Sequence, residues 1–259
     1  MSSYSLLDPS RFIVFITGAT SGFGAAAARR YVAAGGKVIA TGRRKERLVE
    51  LQNELGAENC HIAELDVQDR KAIDAVIAGL PAEFAGINIV LANAGLALGL
   101  QPAAETDITD WETMIATNIT GLAYTVRALL PGLIARGGGH IVTLGSVAGD
   151  YPYPGGSVYG ATKAFVKQLA LNLRSDVQGK NVRVTNIEPG LTETEFSLVR
   201  FKGDEGKASK PYEGTKAMNA EDIAETIFWS TSLPAHVNVN RLQVMATTQA
   251  FGPFDIYRG

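Results

Sequence analysis

The run Phe12-Ile-Val-Phe-Ile16 passes without a break into Thr17-Gly18-Ala19-Thr20-Ser21-Gly22-Phe23-Gly24, and an alanine-rich stretch follows at once. Five apolar residues in a row fit a strand buried on both faces, which requires helices above and below the sheet. The alanine-rich stretch reads as a helix over 22–34, and Gly35-Gly36 supplies its stop. A strand, a glycine-rich turn and a helix in that order open an α/β fold. The rest of the chain repeats the alternation. Strands are expected at Lys37–Thr41, Cys60–Leu65, Asn88–Leu91, His140–Leu144, Val182–Ile187 and Arg241–Met245. Helices are expected at Lys45–Leu55, Arg70–Ala78, Asp107–Arg136, Tyr159–Val177 and Glu221–Ser232. This spacing implies βαβ crossovers and a doubly wound parallel sheet covered on both sides. There is no internal repeat, low-complexity tract or Pro/Gly/Ser linker, so residues 1–259 read as a single domain. Within it, 1–11 is an N-terminal extension, 191–216 a polar lid and 246–259 an aromatic tail.

Composition excludes several function classes. The chain has 24 basic and 26 acidic residues, a net charge of -2, which argues against a nucleic-acid-coating surface. Its one cysteine, Cys60, rules out an intrachain disulfide or a cysteine-built zinc site. His61, His140 and His236 lack metal-ligand spacing, so no metal is expected. Phe84–Ala104 carries no charge, but its asparagines, glycines and Pro102 favour a buried strand and turn over a membrane span. The N-terminus has no signal-peptide pattern, and the cytoplasm is the expected location.

The glycine turn suits a pyrophosphate. A backbone without side chains can approach the anion, and the following helix presents free N–H groups and a partial positive charge. No Gly-Lys-Ser/Thr follows, so it is not a Walker loop. At the end of the second strand, where an NAD site places a carboxylate, the chain has Thr41-Gly42-Arg43-Arg44. Two guanidinium groups suit a 2′-phosphate and favour NADP(H) over NAD(H). The alternative is that both simply begin a solvated helix.

Tyr159 and Lys163 lie four residues apart, on one face of an expected helix. An ammonium beside a phenol lowers the phenol's pKa, as acid–base work near neutrality requires. Ser146 precedes Tyr159 by thirteen residues, and Asn118 lies in the preceding helical region.

Together with Asp66-Val67, Asn93-Ala94-Gly95 and Pro189-Gly190-x3-Thr194, these residues resemble the short-chain dehydrogenase/reductase family. One departure is Ala92, where the family often has another asparagine. The resemblance implies a role for each position. Gly18, Ala19, Thr20, Ser21, Gly22 and Phe23 would cradle the pyrophosphate, and Arg43 with Arg44 would hold the 2′-phosphate. Asp66 and Val67 would flank the adenine, and Asn93 would support the adenosine side. Pro189, Gly190, Leu191, Thr192, Thr194 and Phe196 would border the nicotinamide. Ser146 would bond the substrate carbonyl, Tyr159 would exchange its proton, and Lys163 would bond the ribose and lower the tyrosine pKa. Asn118 would hold a relay water. A homotetramer or dimer built on the helices of 107–136 and 159–177 is also implied.

Within the family, residues 40–44, 95–99, 159–166, 199–204 and 233–238 resemble the NADP-dependent 3-hydroxy acid (serine) dehydrogenases. Their relatives reduce small anionic aldehydes, malonic semialdehyde and sulfoacetaldehyde among them. The implied reaction interconverts a short anionic hydroxy acid and its aldehyde or ketone. Arg200 would clamp the carboxylate or sulfonate, and Tyr153 would wall the pocket; exposed lid charge and ordinary loop packing are the competing readings. A non-catalytic NADP-sensing protein is the alternative from another class. His140 and Cys60 read as structural, and Trp111 and Trp229 as packing residues.

Overall fold

The computed structural model describes residues 5–251. The tail beyond Phe251, expected to cap a pocket or pack a subunit contact, lies outside the described residues. The first half of the fold comprises β1 (Ile13–Thr17), α1 (Gly22–Ala33), β2 (Lys37–Gly42), α2 (Lys45–Leu55), β3 (Cys60–Glu64), α3 (Arg70–Ala78) and β4 (Ile89–Ala92). Next come α4 (Ile108–Ile115), a π-helical turn (Ala116–Gly121), α5 (Leu122–Ala135), β5 (Gly139–Leu144), α6 (Ser157–Asp176) and β6 (Val182–Pro189). The described elements end with α7 (Glu195–Arg200), α8 (Glu205–Ser209), α9 (Ala220–Ser232) and β7 (Arg241–Val244). The strands form one parallel seven-stranded sheet in the order β3-β2-β1-β4-β5-β6-β7, the doubly wound arrangement expected.

The two faces of β1 explain its apolar sequence. Val14 and Ile16 face one core with Tyr31 of α1 and with Ile223 and Ile227 of α9. Phe15 faces the other core with Leu129 and Leu133 of α5 and Val166 of α6. Successive strand residues point to opposite faces, so a strand sandwiched between two helical layers must be apolar throughout. The strand order reverses between β1 and β4, and a crevice opens there beyond the carboxyl ends of the strands.

Three regions depart from the sequence reading. The helix expected over Asp107–Arg136 is broken in phase by the π turn, which carries Asn118. The lid is not an open loop. It folds into α7, α8 and a short 3-10 turn (Lys210–Tyr212), and Arg200 O accepts from Gly99 N–H at 2.9 Å. Lys202 takes a left-handed backbone (φ 51°), and its ammonium pairs with Asp110 of α4 at 2.9 Å. Trp229 is half-exposed on α9 instead of packed, whereas Trp111 packs against a third apolar cluster containing Met114 and Tyr159.

His140 and Cys60 are structural, as expected. The His140 imidazole is buried, shares a 2.7 Å hydrogen bond with Thr185 Oγ1, and is held neutral by burial. The Cys60 thiol is buried and pushed up to about 12. No described helix is long and apolar enough to cross a membrane. Among the described residues, no cluster of His, Cys, Asp and Glu could hold a metal.

Candidate active site

A cavity of about 670 Å³ lies in the crevice at the carboxyl ends of β1, β4, β5 and β6. Gly18, Thr20, Ser21, Gly22 and Phe23 form one wall; Ala19 is turned into the core, with its N–H bonded to Thr41 O. Gly18 has φ 70°, which an L side chain rarely adopts, and an added Cβ would lie 3.0 Å from both Ala94 Cα and Asn93 Nδ2. The Gly18 Cβ position therefore faces the Asn93-Ala94 turn. This glycine is needed to fit two protein segments together, beyond the ligand clearance inferred from sequence.

Asn93 holds that fit. Its Nδ2 donates to Thr17 O at 2.9 Å and Gly18 O at 3.1 Å, and Thr17 Oγ1 accepts from the N–H groups of Asn93 and Ala94. Asn93 thus acts on the cradle's backbone, not through a side chain reaching out to an adenosine. Ser21 precedes α1 without capping it, so the first N–H groups of a twelve-residue helix face the cavity wall with no side-chain acceptor. That is an anion site by construction.

Arg43 and Arg44 border the cavity beside this wall. Arg43 is largely exposed, 4.0 Å from Asp66, and Asp66 and Val67 line the same end. Arg44 is already engaged. It donates to Thr20 Oγ1, to Ser21 Oγ at 2.7 Å and to Glu195 Oε2 at 2.9 Å. Glu195, missed in the sequence reading, opens α7 and lies 3.6 Å from Arg47 as well. An acid immediately following the Pro-Gly-x3-Thr segment was the available signal.

Pro189, Gly190, Leu191, Thr192, Thr194 and Phe196 line the adjoining wall, with Thr194 beside Gly22. Thr194 caps α7 by accepting from Phe196 N–H at 3.2 Å. Gln249, also not anticipated, accepts from Leu191 N–H at 2.7 Å and ties the start of the C-terminal tail to this wall.

Ser146, Tyr159 and Lys163 meet at the cavity floor. Ser146 leaves β5 as an extended residue that caps a short 3-10 turn, and Tyr159 and Lys163 lie one helical turn apart on α6. Burial pushes the Tyr159 phenol up to about 12; the Arg200 guanidinium and the Ser146 hydroxyl act against that rise. Lys163 lies one turn further along, with its ammonium turned toward the end of β5. Its Nζ is drawn to Leu144 O at 2.6 Å, 5.8 Å from the phenol ring's centre, and burial brings its pKa down to about 8.

Asn118 does not line the cavity. Its amide bonds both backbone groups of Leu96, at 2.8 and 2.9 Å, and Thr162 Oγ1 at 3.1 Å. The side chain is therefore spent on clamping the 93–97 turn to α6, which displaces the expected water-holding role from its amide group.

Arg200 is not an exposed lid charge. Its guanidinium lies 5.0 Å from the centre of the Tyr159 ring and 5.1 Å from that of Phe196, and Nη2 donates to Tyr153 Oη at 3.1 Å. Its Nε is buried with no acceptor. The guanidinium borders the cavity, so a charged donor group stands in the wall beside Tyr159.

These features fit a phosphorylated dinucleotide with a small anionic co-substrate. The cradle and the uncapped helix accept a pyrophosphate, Arg43 and Arg44 accept a further phosphate, and Arg200 accepts an anion beside Tyr159.

The short chain dehydrogenase family profile matches residues 12–204. The NADP-dependent 3-hydroxy acid dehydrogenase YdfG of Escherichia coli O6:H1 is 57% identical over 247 residues, 95% of this chain and 99% of that protein. Sulfoacetaldehyde reductase 2 of Chromohalobacter salexigens is 56% identical over 248 residues, 95% of this chain and 98% of that protein. The closed form of serine dehydrogenase complexed with NADP+ superposes with a TM-score of 0.94 at 56% identity, over 96% of this chain and 100% of that one.

Proposed function

The chain belongs to the short-chain dehydrogenase/reductase family of oxidoreductases, and from that premise we propose that it interconverts a short anionic hydroxy acid and its aldehyde or ketone with NADP(H). The observation that carries the substrate class is Arg200, whose aromatic seat in the cavity wall puts a cation beside the reacting phenol. The names of the similar proteins, a 3-hydroxy acid dehydrogenase and a sulfoacetaldehyde reductase, support the same class.

Bound in the cavity, the nicotinamide cofactor supplies or accepts the hydride. The chain does the rest. The cradle and Arg43–Arg44 hold the phosphates, and the 189–196 wall orients the nicotinamide end. Arg200 takes the substrate's carboxylate or sulfonate and so turns its carbonyl toward Ser146 and Tyr159. Ser146 Oγ–H donates to the carbonyl oxygen and steadies the charge that develops there. Tyr159 gives its Oη proton to that oxygen in reduction and takes it back in oxidation. A phenol raised to about 12 stands protonated at neutral pH, ready to act as the acid. Lys163 positions the ribose, and Asn118 acts as a positioning residue through Leu96 and Thr162.

A 3-hydroxy carboxylate is the first substrate reading, and sulfoacetaldehyde reduced to isethionate is the second, favoured by the sulfoacetaldehyde reductase similarity. A cytoplasmic homotetramer or dimer completes the proposal. Ile115, Ile134 and Phe165 leave partly exposed apolar surface on α4, α5 and α6, which suits a subunit contact.

The test is NADPH oxidation against malonic semialdehyde, sulfoacetaldehyde, succinic semialdehyde and an uncharged aldehyde of matched size. One anion should be strongly preferred. Turnover of the neutral aldehyde alone would discard the substrate class. Tyr159→Phe should keep NADPH binding and lose most turnover; unchanged turnover would sink the mechanism.

A further inference from the structure

Glu195 joins two parts of the cavity that act on different molecules. It is the first residue of α7, and its carboxylate bonds Arg44 at 2.9 Å and lies 3.6 Å from Arg47. The last residue of the same six-residue helix is Arg200, which sits over Tyr159. A single short rod therefore spans from the two-arginine corner of the cavity to the cation beside the phenol. Its C-terminal end is fixed twice more, by the Gly99 N–H bond to Arg200 O and by the Lys202–Asp110 pair. The Glu195 carboxylate is held below the usual carboxylate range by the hydrogen bond from Arg44, so the pair is ionic.

Arg44 has five N–H donors in a fixed fork. Thr20 and Ser21 take the Nε and Nη2 side, and Glu195 takes Nη1. An incoming 2′-phosphate needs the same guanidinium and repels a carboxylate lying against it.

We propose that Glu195 is an internal stand-in for the cofactor's 2′-phosphate, which displaces it from Arg44. The inference rests on the reading of Arg44 as a 2′-phosphate contact. It makes Glu195 a positioning residue that holds the Arg44 guanidinium at the phosphate corner of the cavity until the cofactor takes its place. The N-terminal end of α7 stays anchored meanwhile, by the Glu193 N–H bond to Met218 O and by Arg47.

The experiment uses the full chain and two nucleotides without a nicotinamide, 2′,5′-ADP and 5′-AMP, titrated by calorimetry. Glu195→Gln removes the charge at an exposed position and keeps the shape. It should bind 2′,5′-ADP about two- to fivefold more tightly, the scale of one exposed ion pair, and 5′-AMP unchanged. Glu195→Asp, which keeps the charge, should restore the parent pattern in part. A merely structural role would weaken both nucleotides together.

Equal or weaker binding of 2′,5′-ADP by Glu195→Gln overturns the inference. Arg44→Met separates it from its premise. If that variant binds 2′,5′-ADP as well as the parent does, the 2′-phosphate reading of Arg44 fails. If it loses 2′,5′-ADP while Glu195→Gln gains nothing, only the stand-in role fails.

Discussion

Replacing Arg200 by methionine isolates the charge that selects the substrate. Methionine keeps an unbranched, polarizable side chain among the rings of Tyr153, Tyr159 and Phe196, and so keeps their packing. What it removes is the guanidinium. One of its donors is committed to Tyr153 Oη, and the buried Nε has no protein acceptor. A charge-assisted hydrogen bond to an anion contributes about 1.5–3 kcal/mol, so losing it lowers kcat/KM by about 10- to 150-fold. That loss applies to malonic semialdehyde and sulfoacetaldehyde but spares an uncharged aldehyde of the same size. The neutral substrate reports a second, smaller effect. Arg200 acts against the burial-driven rise of the Tyr159 pKa, so removing it moves that pKa further up. Oxidation needs the phenolate, and its activity rises with pH through this ionisation. In the variant that limb should move to higher pH for charged and uncharged alcohols alike. The assay is steady-state kinetics on matched substrates over a pH series in both directions. Equal losses of kcat/KM on the anionic and neutral aldehydes would refute the clamp and leave Arg200 with a folding or docking role.

Other outcomes follow from the same geometry. Arg43→Ala with Arg44→Ala should raise the KM for NADPH by about tenfold or more, with little change for NADH; equal effects on both cofactors would defeat the 2′-phosphate assignment. Asn93→Ala removes two hydrogen bonds that hold the cradle's backbone and should lower Tm by about 5 °C in calorimetry. An unchanged Tm would mean that the cradle holds its shape without them. Lys163→Met tests a buried cation whose pKa in the fold, about 8, lies below its ordinary value. The unfolded chain binds the extra proton between those two values, so the parent gains stability as pH rises through that window. The variant lacks that gain. Any Tm advantage it holds near neutrality should therefore shrink from pH 8 upward, and a constant difference would contradict the buried charge.

The sheet and the catalytic pair are legible in the amino-acid sequence, for physical reasons particular to each residue. Parallel strands buried on both faces are written as unbroken apolar runs, so β1 and its parallel neighbours can be read from Phe12–Ile16 and its successors. Tyr159 and Lys163 can be paired because a helix puts residues four apart on one face. What each does locally is less readable. Lys163 bonds Leu144 O, and Asn118 is consumed by Leu96, because the carbonyls and amides that compete for a side chain come from distant segments. Gly18 illustrates the same limit. The sequence shows a glycine in a phosphate turn, and only the fold shows that its missing Cβ makes room for Asn93 and Ala94. Glu195 escapes a reading of the sequence because its partner, Arg44, lies 151 positions away.

The π turn at Ala116–Gly121 lets one rod serve two masters. Before it, α4 presents Trp111 and Met114 to the cluster around Tyr159; after it, α5 presents Leu122, Val126, Leu129 and Leu133 to the main core. A π turn holds one residue more than the α turn it replaces, and each residue of an α-helix advances the azimuth by about 100°. Because the extra residue is absorbed within a single turn, deleting one residue there would restore a regular helix with both halves still in phase, and the side chains facing the phenol cluster and the core would keep their places. What would go is the widened turn from which Asn118 reaches Leu96 and Thr162. Length variation within these six residues is thus a route by which this scaffold can gain or lose the Asn118 clamp on the 93–97 turn without disturbing either apolar cluster.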